Sequence, residues 1–154
     1  YCFGVGLEFS LACDFRIVTK CAQLSLPEMK IGMIPGSGGS VRLARMIGLS
    51  RVKDMIMRGK RISGEESYNY GLASEVVEID ELESATRNLV KELCLVSPLA
   101  QRAIKTVLNA SQDAPLHVAI ELEGETYGRL RSSSDFKEGV QSFVVKRKPI
   151  YTGK

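Results

Sequence analysis

Residues 1–15 read YCFGVGLEFSLACDF. Gly4 and Gly6 mark a turn, and the apolar run behind them predicts a helix from Val5 to about Cys13. Glu8 sits in the middle of it. Its helical neighbours three and four residues away are Gly4, Val5, Leu11 and Ala12, none of them basic. An ionised carboxylate buried without a partner costs several kcal/mol. Two readings compete. Glu8 is an exposed residue on a narrow polar stripe with Ser10, facing the helix dipole, or it is a functional group. The Gly-Val-Gly entry favours function. It lets backbone approach a ligand closely and leaves amides with partial positive charge at a helix start, where they suit a developing oxyanion.

Outward from this stretch, Phe15 to Val18 and Ala22 to Leu26 are strand candidates, the second stopped by Pro27. LPEMKIGMIPGSGG, residues 26–39, is dense in glycine and proline and reads as loop. It carries a second carboxylate, Glu28, at a strand end, where rigid loops often hold catalytic groups. The plainer reading pairs Glu28 with Lys30 in a turn. Helical patterns follow from Ser37 to Ile47, stopped by Gly48, and from Ser50 to Met57, stopped by Gly59. Ser63-Gly-Glu-Glu66 matches a capping box and opens a short helix to Tyr70. Ala73 to Val77 reads as a strand.

From Asp80 onward nearly everything is helical: Ile79 to Leu95, a Ser97-Pro98 start running to Asn109, Pro115 to Leu130, and a last helix begun by Asp135 and Glu138 and reaching Phe143. The chain therefore divides into an α/β part, 1–78, and a helical part, 79–154. A handful of short strands is too few for a self-contained sheet. Further strands are expected N-terminal to Tyr1.

The 154 residues suffice for one domain with a core. Hydrophobic residues at 44% and charged residues at 25% exclude a disordered tail. A net charge of +3 with 6% aromatic residues and no tryptophan argues against a single-strand nucleic-acid platform. Cys2, Cys13, Cys21 and Cys94 form no CxxC pair, and His117 has no cysteine nearby, so no metal site is expected. The thiols read as reduced and mostly packed, which fits a cytoplasmic or matrix-like compartment. No apolar run reaches membrane-spanning length.

Taken together, GxGxE at 4–8, CDFRI at 13–17 and LPExxxGxxPGxGGxxRL at 26–43 resemble the crotonase family, the enoyl-CoA hydratase/isomerase superfamily. GKRISGEESYNYGLASEVV at 59–77 and SDFKEGVQSFVVKRKPIYTGK at 134–154 are similar to later segments of the same family. The resemblance covers essentially the whole chain in order.

The resemblance implies a spiral of ββα turns followed by a helical trimerisation region, with trimers often paired as hexamers. It implies acyl-CoA thioester substrates and no separate cofactor, since coenzyme A belongs to the substrate. Glu8 falls on the first catalytic glutamate and Glu28 on the second. The Val5 amide falls on the second oxyanion-hole donor, between Gly4 and Gly6. Pro35 and Gly36 belong to the loop behind the acyl pocket. Phe143 and Lys146 fall where the last helix contacts coenzyme A, often that of a neighbouring subunit. Two glutamates point to hydration of a 2-enoyl thioester, which needs a base for water and an acid for the alpha carbon. A double-bond isomerase or another acyl-CoA lyase is the nearest alternative. A non-catalytic assembly module is the alternative of another class. The family's first oxyanion amide lies upstream of Tyr1, so these residues by themselves are expected to be inactive. The resemblance places the protein in the cytoplasm, or in a mitochondrial matrix or peroxisome.

Several features have plainer readings. Lys146-Arg147-Lys148 is a solvated helix end, a clamp for coenzyme A phosphates, or a weak RNA contact. Without aromatic interleaving, RNA binding ranks last. Asp14 beside Arg16 reads as a cap or ion pair. His117 reads as a packing residue. Ser37 and Ser40 sit in no nucleophile elbow, and PGSGG lacks the lysine of a phosphate loop.

Overall fold

The computed structural model describes residues 1–154 as two compact units, Tyr1–Arg87 and Asn88–Lys154. In the first unit, β1 (Cys2–Phe3) leads through Gly4 into α1 (Val5–Ser10), then β2 (Ile17–Thr19) and β3 (Gln23–Ser25). A 3-10 turn (Glu28–Ile31) precedes α2 (Gly39–Ile47) and α3 (Leu49–Met57). β4 (Ile62–Ser63), α4 (Gly64–Asn69) and β5 (Glu75–Val77) complete the layer. β1 pairs parallel with β3, setting Cys2 against Leu24, and β3 pairs antiparallel with β4. A separate parallel pair joins β2 to β5, with Val18 opposite Val76.

The helices form where apolar residues recur at helical spacing. In α2, Gly39, Leu43 and Ile47 lie four apart and all are buried. In α3, Val52, Met55 and Ile56 are buried. Leu43, Ile47, Val52, Met55 and Ile56 make one contiguous core with Leu7, Leu11, Leu24, Leu26, Ile62 and Leu72. Each such side chain contributes about 1.5–3 kcal/mol on full burial. Gly48, at φ 79°, closes α2 and opens α3. The capping box is present at α4. The Glu66 amide donates to Ser63 Oγ at 3.0 Å and the Ser63 amide to Glu66 Oε2 at 2.9 Å.

Three local expectations are corrected. α1 ends at Ser10 rather than Cys13, and its last residues tighten into bonds three residues apart. Arg16 explains the stop. Its guanidinium donates to the carbonyls of Ser10 (3.2 Å), Cys13 (2.6 Å) and Leu72 (2.6 Å), satisfying the helix end. Burial lowers the Arg16 pKa, opposed by the Cys13 and Asp14 charges. Within the stretch read as loop, residues 28–31 wind into a 3-10 turn closed by left-handed Gly32 at φ 76°. The cysteines are not packed: all four are free, three are exposed, and Cys2 is half-buried.

The helix α5 (Leu82–Cys94) spans the boundary between the units. The second unit holds α6 (Pro98–Ser111), α7 (Leu116–Arg131) and α8 (Ser134–Val144). Ser97 caps α6 through the Ala100 amide, with Pro98 in the first turn. α7 buries only Ala119. His117 is exposed there, not packed, because the chain offers no apolar layer over that face. Ile104, Leu108, Leu116, Ile120 and Tyr127 are likewise exposed. No helix is long and apolar enough to cross a membrane.

The C-terminal residues fold back onto the start of α8. Asp135 is buried and accepts from Ser97 Oγ (2.6 Å) and from the amides of Thr152 (2.8 Å) and Gly153 (3.1 Å). The Ser97 hydroxyl, then those amides, hold its pKa below the ordinary carboxylate value. Glu138 takes both terminal nitrogens of Arg147 and the Ile150 amide at 2.8 Å. The Arg147 bond, then the Ile150 amide, lower the Glu138 pKa to about 2. A depressed carboxylate pKa stabilises the folded form above its unfolded value. Tail anchoring should therefore be complete above about pH 4.5 and fade as pH falls towards about 2. Hydrogen exchange at the Ile150 amide tests this. Protection should drop across that window in the native chain and be low throughout in Glu138→Gln. A protection factor, relative to the intrinsic rate at each pH, that stays constant between those limits would refute the anchor.

Candidate active site

The site grows from the first turn of α1. Gly4 adopts φ 53° and ψ −127°, a conformation that only glycine holds without strain. Its amide donates to the Ser25 carbonyl at 3.0 Å, which ties the turn to the end of β3. The Glu8 amide donates to the Gly4 carbonyl at 3.0 Å. Val5, Gly6 and Leu7 open the helix, so their amides have no carbonyl four residues back within it. Val5 does not have a positive φ, so its branched side chain is tolerated, and that side chain is 69% exposed.

Glu8 points inward. It is 2% exposed, beside fully buried Leu7, while Phe9 faces out. The polar-stripe reading is thereby excluded. Its partners are backbone amides from the glycine loop: Ser37 N–H at 2.8 Å and Gly39 N–H at 2.9 Å, both on Oε1. Gly38, at φ 86°, turns the chain so that these alternate amides converge. They also sit at the N-terminus of α2, whose dipole favours a carboxylate. Gly39 is required sterically. A Cβ there would lie 2.6 Å from Glu8 Cγ and 2.8 Å from Oε1.

Glu28, three residues past the end of β3, reaches the same turn. A Cβ added to Gly4 would stand 3.1 Å from Glu28 Oε1. The expected ion pair with Lys30 does not form. The Lys30 stem lies over Gly59, with Cε 2.5 Å from where a Cβ on that glycine would sit. Glu28 Oε2 is buried and has no hydrogen-bond partner within the chain. Buried polar atoms are nearly always paired, so this oxygen is left to meet a partner from outside the chain.

Of the remaining candidates, Pro35 is buried and Gly36 exposed at the head of the loop whose later amides hold Glu8. A Cβ on Gly6 or Gly36 would meet nothing within 4 Å, so neither is glycine for packing reasons within this chain. Phe143, 85% exposed, lies in the last turn of α8, and Lys146, at a left-handed φ of 54°, two residues past it, both in the second unit. Arg147, the middle cation of the basic run, is committed to Glu138. Two cavities stand apart from both glutamates. One, about 460 Å³, is lined within the second unit by Tyr127, Phe136, Val140, Phe143 and Tyr151 among others. The other, about 380 Å³, is lined by Cys2, Ser10, Phe15, Arg16 and Ile17 among others. Sequence reasoning missed the Ser37 and Gly39 amides as the partners of Glu8. The signal was present: a Gly-Ser-Gly-Gly run opening a helix.

Glu8, one helical turn past Gly4, is thus held by the amides of a second glycine loop, and Glu28 Oε1 lies against Gly4. Residues 1–154 match the family described as enoyl-CoA hydratase/isomerase. The chain belongs to that family. It is 36% identical over 152 residues to an enoyl-CoA isomerase/hydratase of Mycosarcoma maydis, covering 98% of this chain and 56% of the relative. It is 36% identical over 163 residues to a carnitinyl-CoA dehydratase of Salmonella paratyphi A, covering 100% of this chain and 60% of the relative. Among solved structures, an enoyl-CoA hydratase from Bacillus anthracis superposes with a TM-score of 0.96 at 38% identity, over 99% of this chain and 59% of that one. The crotonase-like α/β fold is thus shared with enoyl-CoA hydratase/isomerase family members. The chain spans a little under two thirds of the length of these relatives.

Proposed function

We propose that these residues supply the acid–base side of an enoyl-CoA hydratase. The reaction is syn addition of water to a 2-enoyl-CoA thioester, in fatty-acid or related acyl-CoA metabolism. The observations that carry the reading are the two carboxyl groups: that of Glu8, one helical turn past Gly4, anchored on a single oxygen by two loop amides, and that of Glu28, with Oε1 against Gly4 and Oε2 buried and unpaired. Glu8, with Oε1 occupied by two amides, has Oε2 left to orient and deprotonate water. The hydroxide adds to the β-carbon, and Glu28 delivers the proton to the α-carbon. The thioester oxygen gathers negative charge between these steps and rests on the Val5 amide. Gly4 and Gly6 permit its approach. Pro35 and Gly36 border the acyl chain, and Phe143 and Lys146 contact coenzyme A, often that of a neighbouring subunit. No cofactor takes part in any step.

The test is incubation of the polypeptide that carries these residues with a 2-enoyl-CoA in deuterated water. Loss of the conjugated thioester's ultraviolet absorbance, with one deuterium at the α-carbon and oxygen at the β-carbon, is expected. A shifted double bond without added oxygen would replace hydration by isomerisation. The names of the relatives include both chemistries.

A second reading rests on the exposed apolar side chains of the helical unit, including Ile104, Leu108, Ile120 and Tyr127. They suit subunit packing as a homotrimer or hexamer. With that packing alone and no thioester binding, the chain would be an assembly module. Sedimentation with and without an acyl-CoA separates the two.

A further inference from the structure

The glycine loop that holds Glu8 is itself braced by a side chain that has no other evident task. Arg42 lies one turn into α2, and its terminal nitrogen donates to the Ser37 carbonyl at 2.8 Å. The guanidinium rests on the face of Gly38. A Cβ on that glycine would fall 2.6 Å from the same nitrogen and 3.1 Å from Cζ. The Arg42 amide donates to the Gly38 carbonyl at 3.1 Å, so side chain and backbone grip successive peptides of the loop. The first of these peptides lies between the two amides that converge on Glu8 Oε1, and the second carries the Gly39 amide itself.

The geometry has a direct consequence. Convergence of alternate amides on one oxygen depends on the torsions at Ser37 and Gly38. Glycine at φ 86° is conformationally permissive and holds this turn weakly by itself. Fixing the Ser37 carbonyl fixes the peptide between the two amides. We propose that Arg42 is a positioning residue for Glu8: it locks the Ser37–Gly39 turn and thereby sets which way the free carboxylate oxygen faces. The guanidinium's planar fork suits this better than a lysine, because it donates to the carbonyl while lying flat on Gly38. Arg42 touches neither glutamate through a hydrogen bond or ion pair. Its effect passes entirely through backbone. This assignment rests on the hydratase reading for its kinetic consequences, and on the turn alone for its structural ones.

The experiment follows both. In Arg42→Ala, hydrogen exchange at the Ser37 and Gly39 amides should rise roughly tenfold or more, while Val52 and Met55 in α3 stay protected. Arg42→Lys should fall between native and alanine, and it serves as the readout should the alanine variant lose its fold. Hydration by Arg42→Ala should show kcat reduced roughly ten- to a hundredfold with KM nearly unchanged, as misplacement of a reacting group predicts. In a Glu8→Gln background the same substitution should add almost nothing, since the group it positions is already disabled. Unchanged exchange at Ser37 and Gly39 overturns the proposal, whatever the activity. Full additivity with Glu8→Gln overturns the link to Glu8. Absence of hydratase activity in the unsubstituted polypeptide that carries these residues would sink the hydratase reading and leave the exchange result to decide the brace.

Discussion

Glu8→Gln and Glu28→Gln should each lower hydration by about 100- to 10,000-fold, the usual scale for removing a positioned acid or base. Thioester binding should change little. Glutamine at position 8 keeps one carbonyl oxygen, which can still take the Ser37 and Gly39 amides. The turn therefore survives, and what is lost is the basic oxygen beside it. An amide at position 28 leaves the 3-10 turn untouched, because the Glu28 side chain has no internal hydrogen-bond partner to lose on Oε2. It removes the acidic group that the proposed step uses to deliver a proton to the α-carbon. The losses should appear in kcat, with KM almost constant. The double variant should be no worse than multiplication of the single losses permits, and less if both act on one water. Near-normal hydration in both single variants would remove the glutamates from the mechanism and leave the family resemblance as one of fold only.

The legible parts of this protein were those written locally. Helix stops at Gly48 and Gly59 and the Ser63–Glu66 box depend on residues within one turn, and each stands where the sequence put it. The two glutamates were visible as anomalies, one in an apolar helix and one at a strand end. Their partners were not. A search for a cation within a turn of Glu8 returns nothing, because its partners are amides about thirty residues on. Backbone donors carry no residue signature except the glycines that aim them. The same limit hid the tail anchor. Asp135 meets Thr152 and Gly153, and Glu138 meets Arg147 nine residues later, at no helical or strand period. Two-residue strands such as β1 and β4 escape period-based reading because two residues show no alternation.

Gly64→Ala should be among the most destabilising single substitutions in the first unit. Gly64 opens α4, and its amide donates to the Ala22 carbonyl at 3.0 Å, so the helix start sits directly on the turn between β2 and β3. A Cβ there would lie 2.0 Å from the Thr19 carbonyl oxygen, 2.9 Å from its carbon and 3.3 Å from Lys20 Cα. All three obstacles are backbone, and Thr19 is the last residue of β2, paired with Val77. A flexible side chain could swing aside, but a paired strand end cannot. Relief requires α4 to lift from the sheet or β2 to shift against β5. Overpacking of this kind costs about 1–3 kcal/mol, and backbone obstruction puts this case at the upper end. The urea midpoint should fall by roughly 1–2 M at ordinary cooperativity. Gly124→Ala makes the informative contrast, since a Cβ inside α7 would meet nothing within 4 Å. There the better helix former should raise stability by about 0.5–1 kcal/mol. Equal midpoints for native and Gly64→Ala protein would mean that α4 does not rest on the β2 terminus, and the packing of the first unit would need redrawing.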